Sequence, residues 1–581
     1  MSNFGKQTSV IVEIDVEYCG LEYGVGACPA VLGTDSATKC YNFYNGCPVK
    51  ASFSKTTKTL RYSMGQLHGI RDVVIYPFLK SVSTNATTIT LGNVDERLGS
   101  LGKRARITVT LDDQRESDID LDKYVSERSY NAEEQGTHFG RLHARWPFYY
   151  GRALRVLTGY VGDPLSSYHV RSYIITKWAG PTGSSVTITA QDPLKLADED
   201  LATAPVASGG VLEADIGTGL ETFKIGPKGI GSDYPSEGYA SIGSEIVSYT
   251  RSFRNITLTG RGLGGSEIAE HEAGDSFQQC IRYNKALVSD VIYDQLVNYA
   301  GLSASQVPNA DHEAEIDRWA STTRLSAFLP YPKGVATHLG RIAQLGFMMW
   351  WGEVDQEVKV RTNRPPDYDE IVASATDAAH IVENTMSVRD LSDLTITQVH
   401  IYHGVINYTD DLESTDNYKV VTVTTDLASQ GELQHNQTSI LKIYCPWFGN
   451  AGNDTLAGII GRRLLNRFRN TPKEVSFTAD IKDRDSLDVA ALVSVETYAI
   501  QNEDGSTASE QMQVMSVQPT PESDYVTITA QSYRFDERYG FITGNSRGDY
   551  GSSSASEIAK GTYFSDGTNN FADGTEPYKF Y

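Results

Sequence analysis

The hexapeptide VTITAQ occurs twice, at Val186 to Gln191 and at Val526 to Gln531. Its alternation of apolar and polar residues is that of a strand with one buried face. Ile174, in IITKW followed by AGPTGSS, stands twelve residues before Val186, and Val514, in VMSV followed by QPTPESDY, stands twelve before Val526. Strand, turn and strand are therefore all repeated. Further back, Leu154 to Val161 (LRVLTGYV) and Ala491 to Tyr498 (ALVSVETY) again read as strands. The repeat spans about half a domain and predicts two related β-domains in one chain. Three such chains in a ring display six similar units, which is one way to join a threefold part to a sixfold one.

The chain has 581 residues, well beyond the roughly 250–300 at which a single core stops growing, so several domains are expected. Abundant Gly and Tyr and short Val/Ile/Thr-rich runs between turn residues predict a β-rich molecule with helices in the minority. The formal charge of -22 argues against binding that depends on neutralising phosphates. It suits a conduit through which DNA slides without sticking. No apolar N-terminal segment follows a basic stretch and no run of about 18 apolar residues occurs, so the expectation is a protein made and kept in a cytoplasm, without a membrane span.

Four of the six cysteines, Cys19, Cys28, Cys40 and Cys47, fall in one N-terminal stretch with spacing C-x8-C-x11-C-x6-C, while Cys280 and Cys445 stand alone. In a reducing compartment four clustered thiols read as a metal or iron–sulfur site. Two disulfides, or four buried thiols, are the plain alternative. Zinc is the other. Structural zinc usually takes tight C-x2–4-C knuckles, and their absence tilts the reading toward a cluster cradled by loops. Gly20, Gly24, Gly26, Gly33, Gly46, Pro29 and Pro48 mark those loops. A cofactor there acts as a staple for a segment with few apolar residues of its own.

Between the repeats, residues from about Leu201 to Arg282 alternate short strands with Gly-rich turns and read as a small β-domain. Gly260, Gly262 and Gly265 satisfy GxGxxG, but the following SEIAEHEAGDSF is no βαβ helix, so a tight turn is expected rather than a dinucleotide site. Tyr283 to about Ala300 carries Leu287, Val291, Ile292, Leu296 and Val297 at helical spacing up to Gly301. Val335 to Leu345 repeats that character before the strands FMMWWGE and VKVRT, giving a small α/β domain whose Trp350 and Trp351 belong to a core rather than a sugar platform. His400 and His403 on one strand point to opposite faces, which argues against shared metal ligation. Leu456 to Phe468 reads as an amphipathic helix with Arg462, Arg463, Arg467 and Arg469 as a local basic face, explained by solvation in the first place or by contact with a partner. The tail from Gly544 keeps Tyr563, Phe564, Phe571, Tyr578 and Phe580, which suggests docking. No GxSxG, HExxH or Walker-type motif occurs, so catalysis has no candidate residue.

Several longer stretches resemble the tail-hub (baseplate hub, tail-tip) proteins of long-tailed siphophages and gene transfer agents. They are KCYNFYNGC at Lys39 to Cys47, RITVTLDD at Arg106 to Asp113 and SERSYNAEEQGTHFGRLHARWPFYYGRALRVLTGYVGD at Ser126 to Asp163. TAQDPLKLAD at Thr189 to Asp198, IGSEIVSYT at Ile242 to Thr250 and RYGFITGN at Arg538 to Asn545 complete the set. The resemblance implies a β-rich α+β multidomain protein with two tail-tube-like β-barrel domains, a small β-domain and a small α/β domain. On that basis residues 1–200 hold the four-cysteine segment and first barrel, 201–282 the small β-domain, 283–372 the α/β domain, 373–540 the second barrel and 541–581 a tail. It further implies a non-enzymatic homotrimer at the virion tail tip, joining the distal tail protein ring and tape measure protein to the central fibre or tip protein. DNA would cross its lumen without specific binding. Relatives carry a four-cysteine iron–sulfur cluster, which falls here on Cys19, Cys28, Cys40 and Cys47 and implies [4Fe-4S], with zinc as the alternative. The run GCPV at Cys47 departs from the family's Thr-Cys-Gln but keeps the ligand. A tail-associated cell-wall hydrolase or a host-carbohydrate-binding tip protein are the competing functions.

Overall fold

The computed structural model describes residues 7–535 without 66–69, 71–72, 93, 96–97, 100, 129–135, 354, 366–369, 371, 427–437, 450–452, 481–486, 520–524 and 534, together with a pairing of 538–539 with 579–580. The tail aromatics Tyr563, Phe564, Phe571 and Tyr578 fall outside the described residues, as does the Phe580 side chain.

The first body is a seven-stranded sheet of β1 (Thr8–Cys19), β2 (Lys55–Ser63), β3 (Leu79–Asn85), β4 (Arg106–Asp112), β5 (Ala153–Tyr160), β6 (His169–Thr182) and β7 (Ser185–Gln191), in the order β2-β1-β5-β6-β7-β4-β3. Period-two patterning sends Ile107, Val109 and Leu111 of β4 and Val186, Ile188 and Ala190 of β7 into one core, all fully buried. Helix α1 (His138–Arg145) adds Phe139 and Leu142 to it. The other face of β1 carries a charge ladder, in which Glu13 accepts from Arg61 and Arg155, each at 2.8 Å. Edge strand β2 also bridges to Tyr76 in the segment leading to β3, where Ser63 N–H donates to Tyr76 O and Tyr76 N–H to Arg61 O.

The short strands β8 (Thr203–Ala204) and, later, β16 (Lys333–Gly334) pair with each other. Next come β9 (Gly210–Leu212), β10 (Thr222–Gly226), β11 (Glu237–Ile242), β12 (Glu245–Ser252), β13 (Asn255–Gly260) and β14 (Ser276–Leu287). They run β11-β12-β13-β10-β9-β14, and β14 pairs back onto β11, so these strands close on themselves around Phe223, Tyr249 and Phe277. The predicted helix from Tyr283 begins later than expected: β14 runs on to Leu287 because Tyr283 and Ala286 pair with β15 (Arg324–Leu329), and only then do α2 (Val288–Tyr293) and a wide π-turn at Asp294–Tyr299 follow. Tertiary pairing outweighs local periodicity there. Helices α3 (Asn309–Ala320) and α4 (Val335–Ala343) and the hairpin of β17 (Phe347–Gly352) and β18 (Glu357–Thr362) complete the middle, with Trp350 and Trp351 in its core.

The last body contains β19 (Val372–Thr376) and β20 (Ser387–Asp390), an inserted sheet of β21 (Gln398–Val405), β22 (Tyr418–Thr425) and β23 (Ile440–Tyr444), helix α5 (Asp454–Phe468), and β24 (Lys473–Asp480), β25 (Leu492–Gln501), β26 (Thr507–Pro519) and β27 (Tyr525–Ser532). Its main sheet runs β19-β25-β26-β27-β24-β20. The stretch β25-β26-β27-β24-β20 repeats β5-β6-β7-β4-β3 in chain order, neighbour order and antiparallel sense. Each copy also carries a β-bulge at the same place, between Ile175 and Lys177 opposite Ala190 and between Val514 and Ser516 opposite Ala530. Ile175 therefore corresponds to Val514, one residue from the alignment that equal spacing suggests. The flanking strand differs, since β1 is antiparallel to β5 while β19 is parallel to β25. Strand order establishes two like sheets; closure of each into a tube-like barrel is a further step.

Candidate metal centre

Strand β1 delivers Cys19 at its end, and the loops that follow bring Cys28, Cys40 and Cys47 back to it. All four line one small cavity with Leu21, Tyr23, Asn42 and Phe43. None is in a disulfide; Cys19 is buried and the other three are half-buried. The void between them is about 10 Å³, room for about one water.

The cradle is tied together by backbone. Cys19 N–H donates to Asn42 O at 2.7 Å, and Asn42 Nδ2 returns to Leu21 O at 3.1 Å. At Gly20 a Cβ would meet Thr56 Cγ2 at 2.9 Å, so any larger residue there would have to displace the Thr56 side chain. A second segment, about a hundred residues on, closes the site. Tyr124 Oη accepts Tyr23 N–H at 2.6 Å, and Lys123 Nζ donates to Cys19 O at 3.2 Å. Arg128 donates to Lys39 O and Cys40 O at 2.9 and 3.1 Å while paired with Asp122. Arg128 and Arg145 sandwich the Tyr41 ring, each 4.1 Å from its centroid. Sequence reasoning found the thiols but missed Asn42, Lys123, Tyr124 and Arg128; Asn42 and Arg128 lay within stretches singled out for another reason.

Burial pushes the Cys40 and Cys47 thiols up, offset by backbone N–H groups of Asn42 and Val49 that favour the thiolate. The other cysteines of the set raise both further, so a cation that loads here must displace protons and relieve this mutual repulsion. Among the described residues no group of three or more His, Cys, Asp or Glu side chains would hold one metal ion as it stands. Zinc would need the thiolates drawn to about 3.8 Å from one another, given a Zn–S bond near 2.3 Å. The donor set fits either metal chemistry. By contrast Cys280 and Cys445 are buried singly, with thiols pushed up to about 12, and are inert.

The remaining sequence candidates resolve structurally. The Gly260–Gly265 turn is gripped by buried Glu245, which accepts from Arg261, Gly262 N–H, Ala269 N–H and His271 at 2.7 to 3.1 Å. At Gly265 a Cβ would fall 1.7 Å from Ile406 O, so the glycine serves a close backbone approach. His403 is buried against Thr422 while His400 lies on the other face and contacts Gln398. The four arginines of α5 and its end do not form one solvated face: Arg467 is fully buried on Gln513 and the Tyr533 ring, and Arg469 pairs with Asp426. Arg463 and Arg467, four apart, share the side turned toward the protein, while Arg462 is exposed. No helix among the described residues is long and apolar enough to cross a membrane.

No protein-family model and no curated protein matches the chain. Among solved structures it is similar to the prophage tail protein gp18 from Listeria monocytogenes EGD-e, with 8% identity, 77% of this chain and 87% of that one covered, and a TM-score of 0.31. It is also similar to the 43 kDa tail protein of prophage MuSo2 from Shewanella oneidensis, with 10% identity, coverage of 78% and 98%, and a TM-score of 0.34. A topological model of the p2 virion baseplate in its activated conformation gives 8% identity, coverage of 56% and 88%, and a TM-score of 0.16.

Proposed function

We propose that this chain is the non-enzymatic structural hub of a phage tail tip. Three copies form a pseudo-sixfold ring that joins the tail tube and distal tail ring to the central fibre or tip and lines the DNA channel. The observation that carries the reading is the duplicated sheet: five strands in one order, with one bulge at one place, occur twice in a chain. Three chains then present six like units, each sheet closing toward a tube-like barrel in the assembled ring. The excess of acidic residues, 73 against 51 basic, supports a lumen to which DNA does not adhere. The motif stretches around Ser126 to Asp163 support the same family.

Mass measurement tests the assembly. Expressed alone or with tube components, the protein is expected as a trimer in at least one case; a monomer in both sinks the hub.

The four cysteines are proposed to hold a [4Fe-4S] cluster whose contribution is structural, a staple for the loops between β1 and β2. Anaerobic purification is expected to give a brown protein absorbing near about 400 nm, with iron and sulfide bound. A colourless protein containing zinc overturns the cluster. Cys40→Ser is expected to lose the iron and expose the 20–53 segment to protease, while the trimer persists.

A further inference from the structure

A cavity of about 90 Å³ opens between the end of α3, the end of β18 and α5. By this measure a single water needs roughly 10–15 Å³, so the space takes more than one. Among the described residues, three polar groups on its wall find no partner. Trp319 Nε1 and Thr362 Oγ1 are buried without a hydrogen bond, and Thr362 is only 3% exposed. The third is Arg463, half-buried, whose guanidinium is depressed by burial with no opposing charge to restore it. Three nearby arginines are matched to carboxylates. Arg361 reaches Glu370 at 2.6 Å, Arg364 reaches Glu315 at 3.0 Å, and Arg469 reaches Asp426 at 3.0 Å. Among the described residues no carboxylate matches Arg463.

Leaving a half-buried guanidinium without an opposing charge has a cost, and two fully buried groups able to donate beside it ask for an acceptor. The planar fork of Arg463 matches a carboxylate in two parallel hydrogen bonds, and an indole N–H and a hydroxyl add single donors. Apolar walls from Leu345, Phe347 and Ile460 suit the carbon skeleton behind such a head group. We propose that this cavity is a carboxylate-binding site, with Arg463 as the charge partner and Trp319 and Thr362 as orienting donors. Neither the hub reading nor the cysteine site enters this argument. The carboxylate is either a free small acid or an acidic side chain of a second copy of this chain.

The full chain labelled with 5-fluorotryptophan reports on Trp319, assigned by Trp319→Phe. Titration with acetate, against chloride at equal ionic strength, is expected to move the Trp319 resonance saturably. Arg463→Lys is expected to weaken that response about tenfold, as for loss of one charged hydrogen bond of about 1.5 kcal/mol, and Arg463→Gln to abolish it. If the source is a second copy, the Trp319 resonance moves with protein concentration alone, acetate competes, and Arg463→Gln removes the dependence. A resonance that moves in neither series, or equally with chloride, overturns the site. Should Arg463→Gln fail to fold, the acetate and chloride titrations of the unaltered protein still decide.

Discussion

His338 shows how one buried side chain couples the middle of the molecule to pH. It sits on α4, 3% exposed, and its Nε2–H donates to Ala204 O of β8 at 2.8 Å. Burial lowers it from 6.5 to about 4. Because the folded value lies below the unfolded one, the stabilisation is complete above 6.5 and is lost as pH falls toward 4. A shift of that size corresponds to about 3 kcal/mol. Thermal melts of the unaltered protein and His338→Gln are expected to converge across that window, and parallel melts would refute the assignment. Glu245 is the acidic counterpart. Its hydrogen bonds with Arg261 and His271 overcome burial and hold its carboxyl down to about 2, so the turn at Gly260–Gly265 stays gripped well into acid.

At the scale of elements, α5 is anchored by a charge that has no carboxylate. Arg467 donates to Gln513 of β26 at 2.6 Å and lies 4.8 Å from the Tyr533 ring centroid, and burial lowers it to about 10. The stem packs as much as the head group bonds. Arg467→Ala, which opens a hole between α5 and the second sheet, is expected to cost about 3 kcal/mol. Arg467→Met refills that volume without a buried cation and is expected to cost under about 1.5 kcal/mol. Denaturant midpoints separate the two, and equal losses would mean that the guanidinium bonding, rather than the stem, holds the joint. The bulge of β26 is put to use in the same region: it frees the Met515 carbonyl to accept Ile89 N–H at 2.9 Å, while Gln518 reaches Thr84 O at 2.9 Å. The bulge of β26 thus meets the segment after β3, and the end of β26 meets β3 itself.

Over the whole molecule, three cores follow the three sheet bodies, and a fourth, larger than these, extends from the middle helices into α5 and the inserted sheet. Further polar contacts lock the first body to the middle: Arg171, 2% exposed, pairs with Glu353 at 2.8 Å, and Gln356 donates to Val170 O at 2.7 Å. A chain held this firmly at both joints offers its two like sheets in fixed relation, which a ring of three copies requires.

Much of this was legible in the residues themselves. VTITAQ marked both copies of the hairpin because period-two alternation is local and survives duplication. The four cysteines announced a shared site because their clustering is covalent fact, and Gly260, Gly262 and Gly265 read as a turn because no helix pattern followed them. What sequence could not supply was long-range pairing. The closure of β14 onto β11, the strand that displaces the start of the predicted helix to Val288, the burial of Arg467 and the Tyr124 and Arg128 clasp over the thiols each join residues distant in the chain. Their energies depend on which surfaces meet, and that is decided only when the tertiary structure forms.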